Sequence, residues 1–303
     1  MTKKLLFQLD TDALGNSFDT VVAYDGGADH VIVHGGITPQ NVGFLVDGCI
    51  FTRGEKQNTA IFVGGSNLAA GQELFAAVQK KFFAKFRVSV MLDSNGSNTT
   101  AAAGVACLTK HTSAKGKRAV ILAGTGPVGQ RAAAMLAGEG AQVVITSRTV
   151  DKAQAACNDI KARFGFDCIA AAGGTPEERL AAIQGAHLIF SAGAASSELL
   201  REDDWATSPT LEVLCDANAT PPLGIAGIGM GDKAVEKHGK IVYGALGFGN
   251  LKLAVHRACV GKLFEAADQV FDAEQVYANS RSRAFSTNWP LHNRPRAAAL
   301  PLP

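Results

Sequence analysis

Arg118-Ala119-Val120-Ile121-Leu122-Ala123-Gly124-Thr125-Gly126-Pro127-Val128-Gly129 is the stretch whose reading decides the fold. Residues 118–123 are apolar after the first and end at glycine, as a buried strand does. Residues 127–138 then read as a helix, with Pro127 in the first turn, where a missing N–H costs little. Gly138-Glu139-Gly140 ends it, and residues 142–146 supply a second strand. A bare GxGxxG is common, and alone it could be a turn that merely joins a strand to a helix. Between two strands and ahead of a helix each glycine has a separate task. Gly124 permits the tight turn, Gly126 lets the backbone approach a pyrophosphate, and Gly129 lets the helix pack on the strand. The helix N-terminus offers unpaired N–H groups and partial positive charge to phosphates. Thr125, Pro127 and Val128 complete this candidate dinucleotide cradle.

The end of the second strand bears on the choice of dinucleotide. An acid there would bond a ribose 2′-hydroxyl and repel a 2′-phosphate. The chain instead reads Thr146-Ser147-Arg148-Thr149-Val150-Asp151-Lys152. Ser147 offers a hydroxyl, Arg148 a guanidinium able to make charge-assisted bonds, and Lys152 further charge. The expected cofactor is NADP. Later strands at 168–171, 187–191, 211–215 and 240–243 continue a doubly wound parallel sheet. The segments after three of them are candidates to wall the nicotinamide end: Ser191-Ala192-Gly193-Ala194, Asp216 with Asn218, and Ala245 with Leu246 in the glycine-rich loop 244–249.

The first hundred residues repeat the β/α alternation. Strands are expected at 4–9, 31–33, 60–63 and 86–92, with a helix over 67–82. Residues 93–100, Asp93-Ser94-Asn95-Gly96-Ser97-Asn98-Thr99-Thr100, are polar throughout apart from glycine and lead into an alanine-rich helix at about 100–112. A polar loop between a strand and a helix start is a natural ligand platform; it is also where a helix is capped, by Asn98 or Thr99. The chain thus divides into an N-terminal α/β substrate domain (1–112), a Rossmann-type domain (113–249), helices over about 250–280 that return to the first domain, and a loosely held tail (281–303).

Composition narrows the function classes. The 303 residues include 47% hydrophobic and 18% charged residues and carry a net charge of +2. That is globular composition, with no basic run that would favour nucleic acid. No apolar run reaches the roughly 18 residues of a membrane span, and the N-terminus does not read as a signal peptide. The six cysteines form no CxxC pair and no cluster with metal-ligand spacing. They read as buried thiols of a cytoplasmic protein that holds no metal.

Several runs together resemble one family. YDGGADH (24–30), AIFVGG (60–65), MLDSNGSNTTAAAGV (91–105), LAGTGPVG (122–129), PPLGIAG (221–227), GALGFGNLKL (244–253) and HRAC (256–259) resemble the NADP-dependent methylene-tetrahydromethanopterin dehydrogenases of methylotrophic bacteria. The likeness covers about residues 1–278. It implies oxidation of methylene-tetrahydromethanopterin or methylene-tetrahydrofolate to the methenyl form, a pterin-binding first domain, and a homo-oligomer, by resemblance a trimer. It makes Lys252 the leading active-site residue. Asp25, Asp93, Asn95, Ser97, Asn98, Thr99 and His256 are the candidates to contact the pterin. Hydride loss leaves a cation shared between two pterin nitrogens, so positioning matters more than a strong base. A charged Lys252 would oppose that cation, but could bond a pterin carbonyl or be neutral if buried. Two other readings remain open at this point: another two-domain NADP oxidoreductase with a shikimate-like or glutamate-derived substrate, and a non-catalytic dinucleotide sensor.

Overall fold

The computed structural model describes residues 2–285, which form two α/β sheets joined by shared helices. The first sheet uses β1 (Leu5–Asp10), β2 (His30–His34), β3 (Thr59–Gly64) and β4 (Ser89–Leu92), connected by α1 (Ser17–Asp25), α2 (Gly43–Phe51) and α3 (Leu68–Lys80). β3 and β4 are buried along their whole length, as the continuous apolar runs require of central parallel strands. Helix α4 (Ser97–Lys110) leads into the second half.

The second sheet takes β5 (Arg118–Leu122), α5 (Pro127–Gly138), β6 (Gln142–Ser147), α6 (Val150–Phe164), β7 (Ile169–Ala172), α7 (Pro176–Ile183), β8 (Leu188–Ser191), α8 (Glu202–Ala206), β9 (Val213–Asp216), β10 (Lys233–Lys237) and β11 (Lys240–Tyr243). Its order is β10-β11-β9-β8-β5-β6-β7, parallel except for the β10–β11 hairpin. The chain then crosses back through α9 (Ala245–Lys262), β12 (Val270–Phe271) and α10 (Ala273–Ala284). β12 pairs with β4, so the first sheet reads β12-β4-β3-β1-β2 and is completed by the C-terminal segment. Among the described residues no helix is long and apolar enough to cross a membrane.

Twelve of the fourteen residues of α4 are buried, so it is a core helix with no solvent face. Its small residues allow this. A methyl group at Gly104 would collide with the Phe190 ring of β8. One apolar cluster runs from Leu6, Phe62 and Met91 of the first sheet, through Ala102 and Ala106, to Ile121 and Phe190 of the second, with Val255, Cys259 and Val276 beside it. Five of the six cysteines are buried, and Cys168 is partly so; all six are free thiols.

Four boundaries differ from the sequence expectation. β4 begins at Ser89, because Phe83 and Phe86 pair in a tight turn just before it. α4 begins at Ser97 and takes in half of the polar run. The glycine-rich segment 245–249 is the start of α9, not a loop. A side chain at Gly244 would strike the backbone of Gly229 and Met230, and one at Gly247 that of Asp232. These glycines therefore serve close backbone approach, not flexibility. α10 extends to Ala284, four residues into the span expected as a tail; residues 286–303 lie outside the described residues.

One polar network ties the halves together. The Asn98 amide donates to the Leu92 carbonyl (2.7 Å) and to Asp272 Oδ1 (3.1 Å). Its oxygen accepts from Nε of the buried Arg131 on α5 (2.8 Å). Asp272 also caps α10 and pairs with Arg163 of α6. Replacing Asn98 with alanine strands a buried guanidinium and a buried carbonyl, at a cost of about 2–3 kcal/mol. Urea unfolding should show the lowered midpoint; an unchanged midpoint would mean the network does not hold the halves together.

Candidate active site

Ligands of open α/β sheets bind beyond the strand C-termini, where the strand order reverses. Both sheets have such a point. In the second sheet it lies between β5 and β8, in the first between β1 and β3. α9 connects the two places. Its N-terminus caps off β11 at Gly244, and Lys252 follows seven residues after Ala245, about 10 Å along the axis.

On the first sheet, Asp93 follows β4 and is fully buried. Its Oδ1 accepts the backbone N–H groups of Asn98 (2.9 Å) and Thr99 (3.0 Å), and its Oδ2 the Thr99 hydroxyl (2.6 Å). Asp93, not Asn98 or Thr99, thus satisfies the first turn of α4. The turn between them holds Asn95 and Gly96 in left-handed conformation, φ +55° and +57°. Asn95 is the exposed tip of this turn. Ser97 donates to the Ser94 carbonyl (2.8 Å) and is fully buried.

Lys252 and His256 reach this turn from one face of α9, as their spacing predicts. A Cβ on Gly96 would lie 2.9 Å from Lys252 Nζ, so the ammonium sits against that backbone. It also lies 5.1 Å from the centre of the Phe18 ring. His256 stacks on Phe62, with Nδ1 4.0 Å from Asp93 Oδ2. Neither of its ring nitrogens has a hydrogen-bond partner among the described residues. Burial, then Lys252 and Arg257, lower its pKa to about 3, so the ring is neutral. Burial pushes Asp93 up to about 6, against Lys252 and the Thr99 and Asn98 hydrogen bonds, which pull it down. Asp19, in the first turn of α1, is pushed up to about 7 by burial and by the neighbouring Asp93 and Asp10, with Lys252 opposing.

On the second sheet, Gly124 and Gly129 are held by close contacts. A Cβ at Gly129 would lie 2.6 Å from the Gly124 backbone, and one at Gly124 2.7 Å from Ile121. Gly126 faces open space, with nothing within 4 Å of where its Cβ would be. The N-terminus of α5 has no side-chain cap, and Pro127 occupies its first turn. That open space and those unclaimed N–H groups fit a pyrophosphate. Thr146 fixes the turn by accepting from Ala123 N (3.0 Å). Ser147 is buried at the end of β6; Arg148 and Lys152 are exposed just beyond it, beside an α6 N-terminus that also has no side-chain cap. A cleft of about 510 Å³ runs from Thr125, Pro127 and Gln130 to Asn67, Leu68 and Gln72 of α3.

The nicotinamide-side candidates prove to be loop builders in part. Asp216 accepts from the backbone of Asn218 (3.1 Å) and Ile225 (3.0 Å). The Asn218 amide holds the Pro222 (3.2 Å) and Ala194 (3.4 Å) carbonyls, joining the loops after β8 and β9. Ser191 is fully buried, Ala192 and Gly193 are partly open, and Ala194 and Leu246 are exposed.

The structure gathers Asp93, Asn95, Ser97, Thr99, Lys252 and His256 at one place. Asn98 is close by, but its side chain is committed to the network between the halves. Asp25 is not brought in. It lies six residues beyond Asp19, about 9 Å further along α1, in an ion pair with Arg257 (2.7 Å). Phe18, Asp19 and Asp10 are neighbours the sequence reading passed over. Their signal was position: the end of the first strand and the start of the helix after it.

The model of the methylene-tetrahydromethanopterin dehydrogenase N-terminal domain matches residues 17–95, and that of shikimate / quinate 5-dehydrogenase matches residues 107–213. The bifunctional protein MdtA of Methylorubrum extorquens is 57% identical over 288 residues, which span 94% of this chain and 100% of that protein. The NAD(P)-dependent methylenetetrahydromethanopterin dehydrogenase of the same organism is 34% identical over 279 residues, 88% of this chain and 94% of its own length. Quinate dehydrogenase from Corynebacterium glutamicum, solved with NAD, shares the fold, with a TM-score of 0.51 at 14% identity over 92% of this chain and 99% of that one. A pterin-family first domain, an intact glycine cradle and full-length likeness to these relatives agree: the chain belongs to the methylene-tetrahydromethanopterin dehydrogenase family.

Proposed function

We propose that the chain oxidises a methylene-bridged pterin, methylene-tetrahydromethanopterin or methylene-tetrahydrofolate, to the methenyl form with NADP. One observation carries this reading. Lys252, on a helix that starts at the dinucleotide sheet, ends against the polar turn 93–100 of the other sheet. The reacting partners would therefore meet along one rigid element. Bound NADP supplies the hydride acceptor. The backbone N–H groups of residues 124–129 hold its pyrophosphate, and Arg148, helped by Lys152 and Ser147, holds the 2′-phosphate. The segments at 191–194, 216–218 and 245–246 wall the nicotinamide. Lys252 donates to a pterin ring carbonyl, and Asn95 with the Asp93–Thr99 turn lines the edge beside it. Asp93, Ser97 and Thr99 shape this turn through their mutual bonds and buried positions. His256 forms the apolar back wall with Phe62.

The shikimate-like alternative draws on a match confined to the dinucleotide half, whereas residues 17–95 match the pterin family. The sensor reading leaves the second strand-end site without a purpose. Cytoplasmic location and assembly as a homo-oligomer, a trimer by resemblance, belong to the same proposal; light scattering of the purified protein tests the assembly.

The purified chain should reduce NADP when given either methylene pterin, followed at the absorbance of NADPH. Tight NADP binding with no turnover of either pterin would favour the sensor. Arg148→Glu should lower kcat/KM for NADP about tenfold or more, through loss of a charge-assisted bond, and leave NAD use nearly unchanged. An unaltered NADP/NAD ratio would refute the role given to Arg148. Lys252→Met should lower kcat/KM for the pterin about 10- to 100-fold while the NADP dissociation constant stays the same. Equal losses in both would place Lys252 in folding, not in pterin binding.

A further inference from the structure

Asp19 stands in the first turn of α1, where an acid suits the helix N-terminus, but that task does not require its burial. It is only 8% exposed, yet its carboxyl group makes no hydrogen bond and no ion pair among the described residues. The α1 cap is already made by Asn16, which accepts from Phe18 N. Burying a carboxyl group without donors is costly, and the surroundings add to the cost. Asp10 approaches from the end of β1 and Asp93 from the turn after β4. α9 contributes Lys252 and the neutral His256, while the Phe18 ring shields one side of the ammonium. Lys252 likewise has no carboxylate partner among the described residues. A cation and an acid, neither in an ion pair, thus stand with two further acids beyond the strand ends of the first sheet. Such an arrangement is expensive for the free protein and marks a place kept for a ligand.

We propose that Asp19 is a further catalytic residue, whose carboxylate balances the positive charge that the substrate acquires. This rests on the pterin reading above. In the reaction a C–H bond of the methylene carbon breaks, and its electron pair and hydrogen leave together as hydride for the oxidised nicotinamide. A nitrogen lone pair closes a C=N bond, so the substrate gains one positive charge and the cofactor loses one. No proton is released in that step. The Lys252 ammonium opposes the new charge, and Asp10, Asp19 and Asp93 offset it. Asp19 titrates at about 7, and burial and its acidic neighbours are the causes. Its ionised form, the one that favours the cation, is therefore lost as pH falls below neutrality.

The test is the pH profile of kcat/KM between pH 5.5 and 8 for wild type, Asp19→Asn and Asp19→Glu, with NADP binding measured alongside. Wild type should gain activity with rising pH, with an apparent pKa at or below about 7. Asp19→Asn should lose that limb or shift it to lower pH, run about 10- to 100-fold slower at pH 8, and bind NADP unchanged. Asp19→Glu should restore part of the rate and the limb. An asparagine variant with the wild-type limb and rate overturns the assignment of Asp19. A wild type inactive with both pterins overturns the functional reading itself. Folding is checked by thermal unfolding. The folded chain holds the Asp19 proton more tightly than the unfolded chain, so this group lowers stability as pH rises from 3.8 to about 7. Asp19→Asn should lack that fall and melt at a higher temperature than wild type at pH 8.

Discussion

The carboxylate of Asp93 holds the rest in place. Three hydrogen bonds from the start of α4 converge on it in a site fully closed to solvent. They fix how the chain leaves the first sheet and the direction in which α4 sets out. That helix is the common core of both halves, so its first turn sets the relation between the sheets. Lys252 and then these same bonds keep the buried acid from rising further than about 6. A structural cap and a site electrostatic element are thus one group, and neither role could be changed without the other.

α9 supplies the second fixed length. It begins just beyond the end of β11 and carries Lys252 to the polar turn. Hydride transfer needs two large flat rings at a set separation, and a helix is a stiffer spacer than a loop. The charges follow from the chemistry. In the proposed reaction Lys252 would bind an electron-rich edge while opposing the new cation, and the acids around it would compensate. The arrangement is costly in the free protein, where burial raises both Asp19 and Asp93.

Much of this was legible in the sequence, and the failures have definite physical causes. The glycine cradle was legible because local rules govern it: strand, turn and helix lie within a few residues. The polar run 93–100 does gather with Lys252 and His256 at one place, but the arrangement inside it was not legible. Sequence cannot tell a polar side chain facing a cleft from one turned inward, and Asn98 turned inward to partners on Asp272 and Arg131, far away in the chain. The start of α9 was misread because glycine favours loops locally, whereas here backbone at 229–232 presses against it. Asp19 was missed because nothing in Ser17-Phe18-Asp19-Thr20 is unusual until the fold brings Asp10, Asp93 and Lys252 around it. The β10–β11 hairpin and the two-residue β12 were too short or too polar to stand out from turns.

The position of β12 carries a consequence for biosynthesis. The first sheet borrows its outer strand and a covering helix from residues 270–284, the last to be made of those described. The dinucleotide half is contiguous from β5 to β11 and holds its own strands by the time residue 243 has emerged. The amino-terminal half, although translated first, must wait with an open edge at β4 and an uncovered α4. Order of synthesis and order of completion are thereby reversed. A ribosome that stalls late would present a finished nucleotide-binding fold joined to a sheet that lacks its border.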